Sequence, residues 1–345
     1  MPNLIDNLYV HGQLITGSPF GIGNIYYVVN TSSSSYADMV TKLGNAYYDD
    51  GSKVLHPHTA TASTVTTNGI KTALAACVAD RNDYVIVMPS TTTYYTDEAL
   101  SITKKGVHLI CPGGMGCEHG ATNAARIQQI TANTGLISIA AQAVEVAGLY
   151  LKHSACAEAT YLYKGAAIDV TTGASCPNIH HNYFAINGSG ATNSPIIAIL
   201  GGATGVGAWG QIHHNRFVHL TDSVTFARII LINTGANTFD VSHNVFNSGC
   251  GAGATVVYFI EFGAGALYGE AKNNFFTAGA TNGPYGITES TLTACIYLSL
   301  STIAIGNRGA VQSGLLLAGG VAARSFCDNL DGRVTSGTDV WNLED

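Results

Sequence analysis

The stretch Ile179-His180-His181-Asn182-Tyr183-Phe184 returns as Ile212-His213-His214-Asn215-Arg216-Phe217, and its skeleton persists in Val241-Ser242-His243-Asn244-Val245-Phe246 and in Lys272-Asn273-Asn274-Phe275-Phe276. Each copy sets Asn two residues before Phe: Asn182 and Phe184, Asn215 and Phe217, Asn244 and Phe246, Asn274 and Phe276. An interval of roughly 29 to 33 residues belongs to solenoids and repeat arrays. Weaker copies follow around Asn307 and Asn329, and Val144–Leu151 reads as an earlier coil with Gly148 near the Asn position.

A second apolar run lies between successive copies, as in LISIA from Leu136, AAIDV from Ala166, PIIAIL from Pro195, RIILI from Arg228 and VVYFIEF from Val256. These runs are short, aliphatic or β-branched, and bounded by Gly, Ser, Thr or Asn, which marks strands between turns. Two or three strands per repeat with no helical run between them exclude βαβ winding. The pattern predicts an all-β fold, a single-stranded parallel β-helix whose equivalent residues stack about 4.8 Å apart.

In such a stack the recurring Asn is expected at a sharp corner, in the left-handed conformation it tolerates, bonded to the Asn above and below. The recurring Phe turns inward and stacks. His181, His214 and His243 form a column beside the Asn ladder that ends at Asn273. Adjacent strand residues point to opposite faces, so His180 and His181 are not expected to share an ion. No Asp, Glu or Cys joins the column at ligand spacing, so the expectation is structural histidines, no metal and no cofactor.

The composition agrees with a turn-rich solenoid. Hydrophobic residues make up 46% of the 345 and charged residues 11%, with 40 Gly; an average domain is roughly 25% charged. The formal charge of −7 and scattered basic residues argue against a nucleic-acid partner. No apolar run reaches membrane-spanning length, and the absence of Lys or Arg before Lys42 argues against a secretory signal, so synthesis in a cytoplasm is expected. Eight cysteines without a CxxC pair fit reduced thiols, although Cys111 and Cys117 bracket a turn and could pair.

The amino-terminal third differs. Residues 1–24 read as an arm, IYYVV from Ile25 as a strand, and NTSSSSYADM from Asn30 as a polar loop. IKTALAACVAD places Ile70, Leu74, Cys77 and Val78 at helical spacing after a cap at Thr67 or Asn68, predicting a short helix over about 69–80 that covers the open end of the stack. Residues 25–98 thus read as a capping region, 99–335 as coils and 336–345 as a tail.

This order of helix, strand DYVIVMPS, strand KKGVHLICPG and Asn-x-Phe coils resembles the pectate-lyase-like right-handed β-helix proteins. With the preceding IYYVVNTSSSS it is similar to the subset that tailed bacteriophages carry in their virions, as spikes or capsid decoration. The resemblance covers residues 25–330. It implies right-handed winding, a homotrimer, partners among capsid or tail proteins, a place on the virion surface and, for enzymatic members, host glycan as substrate.

Polysaccharide cleavage needs two carboxyl groups within roughly 5 to 9.5 Å. The coil carboxylates are Glu118, Glu145, Glu158, Asp169, Asp222, Asp240, Glu261, Glu270 and Glu289. Asp169 and Glu261 occupy equivalent places three coils apart, about 14 Å at one strand spacing per coil, and Asp222 could approach Asp240 only across a loop. No acidic cluster of the lyase type is present, and Arg216 and Arg228 read as isolated. Asp169, Asp222, Asp240 and Glu261 therefore remain only as fallback candidates. Gly205 to Gly210 satisfies GxGxxG, but a strand rather than a helix follows, leaving no helix terminus for a pyrophosphate. In the pairs Tyr26-Tyr27, Tyr47-Tyr48 and Tyr94-Tyr95, one ring should enter the core and the other face outward. The expectation is a non-enzymatic structural protein of a phage surface; the alternative is a tailspike depolymerase or adhesin acting on host polysaccharide.

Overall fold

The computed structural model describes residues 9–10, 13–14, 23–112, 124–132, 134–154, 166–171, 173–187, 190–193, 195–199, 209–219, 224–233, 236–247, 255–263, 266–277, 294–298, 301–310, 315–319, 324–325, 330–335 and 338–343. Cys117, Glu118, Glu158, Asp222, Glu289 and Asn329 lie outside them, as does most of the arm. Within the arm, Tyr9–Val10 pairs antiparallel with Gln13–Leu14.

The described chain is a parallel β-solenoid of three sheets. The first, here the histidine sheet, runs from Tyr84–Val87 through His108–Ile110, Glu145–Ala147, Asn178–His180, Gln211–His213, Asp240–Ser242 and Leu267–Lys272 to Ser301–Ile305. The second, the phenylalanine sheet, includes Leu149–Ser154, Tyr183–Asn187, Arg216–His219, Val245–Asn247 and Phe275–Thr277. A third is built from the apolar runs, among them Leu100–Ile102, Ile137–Ile139, Ile168–Val170, Ile197–Ile199 and Val224–Ile232. Each coil visits the three sheets in that order.

Register follows the repeat. Phe184, Phe217, Phe246 and Phe276 are successive partners, and their buried rings stack with centroids 4.8, 4.7 and 4.9 Å apart. Ile179, Ile212, Val241 and Ala271 do the same inside the histidine sheet. Slipping one strand by a residue would turn its apolar set outward, so this burial holds the register.

The stack continues into the amino-terminal region: Ile25–Asn30 and Leu55–Ala60 extend the histidine sheet beyond Tyr84–Val87, so no break in pairing separates residues 25–98 from the coils. The serine-rich stretch is not wholly a loop, because helix α1 spans Tyr36–Leu43. It places Tyr36, Met39, Val40 and Leu43 at helical spacing on one face, yet buries no side chain fully, and it carries an exposed Asp38–Lys42 pair one turn apart. Helix α2, Gly69–Ala76, is shorter than 69–80. Asn68 caps it by accepting from the Lys71 amide at 3.1 Å, and Ile70, Ala73 and Leu74 join the core beside Tyr26, Val28 and Leu100. Val78 is exposed. Tyr26 and Tyr94 are fully buried while Tyr27 and Tyr95 are not, as strand alternation requires.

Candidate functional site

The candidate site is the corner between the histidine and phenylalanine sheets. Six successive coils turn it with one residue at positive φ: Gly148 (70°), His181 (54°), His214 (53°), His243 (54°), Asn273 (54°) and Gly306 (63°). The left-handed position thus falls one residue before the ladder Asn, and the expectation that Asn itself adopts it is corrected. Gly148 aligns with the histidines rather than with Asn. A Cβ there would lie 2.3 Å from the Cys111 carbonyl oxygen, so that coil admits only glycine.

The next residue is the ladder Asn, free to point inward because its neighbour makes the turn. Asn182, Asn215, Asn244, Asn274 and Asn307 are all buried. The amide nitrogen of each of the first four donates to Oδ1 of the next at 3.2, 3.1, 3.1 and 3.0 Å. Their backbone N–H groups donate to the same oxygens, each at 3.0 Å. Each side-chain nitrogen also donates back to the preceding coil, as Asn215 does to the Ile179 carbonyl at 2.9 Å. One Asn therefore ties three coils, and Asn307 is a full member of the ladder.

Outside the ladder stand two histidine columns. His181, His214 and His243 stack face to face at 5.0 and 4.9 Å, and Asn273 Nδ2 closes the row 3.2 Å from His243 Nε2. His180 stacks on His213 at 4.9 Å. Strand alternation does not hold here. The left-handed turn swings each corner ring toward its predecessor, bringing Nδ1 of His180 and His181 to 2.8 Å and Nδ1 of His213 and His214 to 2.9 Å. The expectation of opposite faces is thereby corrected.

The columns are anchored by oxygen acceptors on the same sheet. Glu145 receives His180 Nε2 at 2.7 Å on one oxygen and His108 Nδ1 at 2.5 Å on the other. His108 Nε2 faces Asn82 Oδ1 at 2.6 Å, and its ring stacks on Tyr84. His213 Nε2 faces Asn178 Oδ1 at 2.9 Å. The hydrogen bonds from His108 and then His180 pull the Glu145 carboxyl down to about 2. Burial, followed by the charge of His180, lowers His213 to about 4 and also lowers His181. His214 is lowered by burial and then by His243.

The fallback carboxylates do not converge. Asp169, Ala198, Leu231 and Glu261 are successive partners in the third sheet, which places the two acids three rungs apart. Asp169 is buried against Ser138 Oγ at 2.9 Å, and burial pushes its carboxyl up to about 6. Glu261 pairs with Arg228 at 2.8 Å, so that arginine is not isolated. Asp240 and Glu270 both hold Lys272, at 3.0 and 2.7 Å. Among the described residues no group of three or more His, Cys, Asp or Glu is placed to hold a metal ion, and no helix is long and apolar enough to cross a membrane. Trp209 and Gly210 lead directly into the strand Gln211–His213, and Gly205 to Ala208 of the glycine-rich run lie outside the described residues. No family model matches the chain, and no curated protein or solved structure matches it.

Proposed function

We propose that the chain is a structural component of a bacteriophage particle surface, a capsid decoration or spike, which assembles as a homotrimer of pectate-lyase-like β-helices. The observation that carries this reading is where the recurring polar residues are spent. The Asn ladder bonds coil to coil and is sealed from solvent. An elongated, internally stapled rod suits a protein whose task is to present matched surfaces. Right-handed winding is the sense that parallel strands joined by a crossover adopt almost always. With charged residues at only 11%, much of the lateral surface is expected to be covered by neighbouring copies. The arm up to Gly23 is the attachment element in this reading.

One observation favours a second reading, a depolymerase or adhesin acting on host surface polysaccharide. The raised carboxyl of buried Asp169 is the kind of perturbation that accompanies catalytic acids. Two experiments separate the readings. Deleting Met1 to Gly23 should leave a folded trimer that no longer enters particles, and D169N, D222N, D240N or E261Q should leave particle assembly and infection nearly unchanged. Release of reducing sugar or unsaturated product by the purified protein, abolished by one of those amide substitutions, would establish the depolymerase instead.

A further inference from the structure

Regular strand geometry would keep neighbouring imidazoles apart, whereas this corner brings them nose to nose in two successive coils. The planes of His180 and His181 meet at 87° and those of His213 and His214 at 86°. Both pairs are held in place by stacking on each other, His180 on His213 and His181 on His214. The arrangement is therefore a property of the repeat.

Hydrogen positions follow from the partners. His180 Nε2 faces a Glu145 oxygen and His213 Nε2 faces the Asn178 oxygen, so each inner ring carries hydrogen on Nε2. In its neutral form it turns the bare Nδ1 lone pair toward the corner ring, which donates from its own Nδ1. Nε2 of His181 and of His214 makes no hydrogen bond within the described residues. If the hydrogen of the corner ring moves to that nitrogen, two Nδ1 lone pairs converge on one point, with no net release of protons.

We propose that each facing pair, His180 with His181 and His213 with His214, is a two-coordinate site for a soft monovalent d10 cation, Cu(I) or Ag(I), taken up in place of the shared hydrogen. Two neutral imidazoles suit such an ion, whereas a four-coordinate divalent ion needs further ligands that the described corner does not supply. Metal–nitrogen bonds of about 2 Å set the two nitrogens roughly 4 Å apart across a linear ion, so each pair must open by about 1 Å from the observed 2.8 and 2.9 Å. The exposed His214 ring and the half-buried His181 ring can swing outward to allow this. Countercharge is at hand in Glu145, bonded to His180, and in Asp240, whose field reaches His213.

The test is a silver nitrate titration of the full chain in chloride-free buffer, after alkylation of exposed thiols, with bound silver measured after desalting. Asparagine keeps the corner turn, as Asn273 does in the same column, so H181N and H214N preserve the fold. Wild type should retain two more silver ions per chain than the H181N/H214N double variant. Each single variant should lose one, and H243N none. In the wild-type protein labelled with 15N-histidine, silver should move four Nδ1 resonances, leave Nε2 of His180 and His213 protonated and convert Nε2 of His181 and His214 from bare to protonated nitrogen; this readout does not depend on any variant folding. Equal silver in wild type and double variant, a loss in H243N matching that in H214N, or loss of the Nε2 hydrogen from His180 or His213 on silver binding would each overturn the proposal.

Discussion

Nδ1 of His213 lies 2.9 Å from Nδ1 of His214, a contact that requires one of the two nitrogens to carry no hydrogen. Protonating both rings replaces a hydrogen bond with two facing donors inside stacked columns, and acid should therefore loosen this corner. His213 is held down to about 4, and His181 and His214 are lowered too, from 6.5.

Because these folded-state values are depressed, the unfolded chain takes up protons first. The stabilisation is present above 6.5 and is lost as pH falls toward about 4. Glu145, depressed from 4.5 to about 2, adds a carboxylate contribution that is lost below 4.5. After discounting for solvent around partly exposed rings, the histidine loss should be on the order of 1 to 2 kcal/mol. Urea midpoints at pH 7.5, 5.5 and 4 measure it, and a flat profile across that interval would remove the neutral-ring account.

The Asn ladder should be the most protected part of the chain. Replacing Asn215 with Leu strips the acceptor from the Asn182 backbone and side-chain amides and removes the bond that its own amide donates to the Ile179 carbonyl. At roughly 1 to 3 kcal/mol for each buried group left unsatisfied, a loss of about 3 kcal/mol or more is expected in chemical denaturation. Slow amide exchange at Asn182, Asn215 and Asn244 should collapse around the substituted coil.

At the turn itself the cost depends on backbone conformation. His214 has φ of 53°, where a β-branched residue is strained by about 1 to 2 kcal/mol. H214V should lower the melting temperature, and H214N should leave it close to wild type. Equal melting for both would mean that the turn is not left-handed in solution.

Much of this corner was legible because the Asn-x-Phe interval is itself the rung-to-rung register: once Asn182 stacks on Asn215, Phe184 must meet Phe217. The left-handed position was harder to see. Its column reads Gly148, His181, His214, His243, Asn273, Gly306, and only the flanking glycines and Asn273 reveal the shared tolerance of positive φ. The joint orientation of His180 and His181 depends on that turn and was invisible without it. Arg228 and Glu261 lie 33 residues apart in sequence, so their ion pair emerges only when adjacent coils are placed side by side. Helix α1 was missed although Tyr36, Met39, Val40 and Leu43 recur at helical spacing, because the run of serines before it and its eight-residue length made the stretch read as a polar loop.

A scaffold must present its faces to copies of itself, so the mass of the purified full chain in solution tests the central claim most directly. Multi-angle light scattering at micromolar concentration and neutral pH is predicted to report three chains, unchanged on tenfold dilution. A folded particle with the mass of a single 35.9 kDa chain would contradict the account.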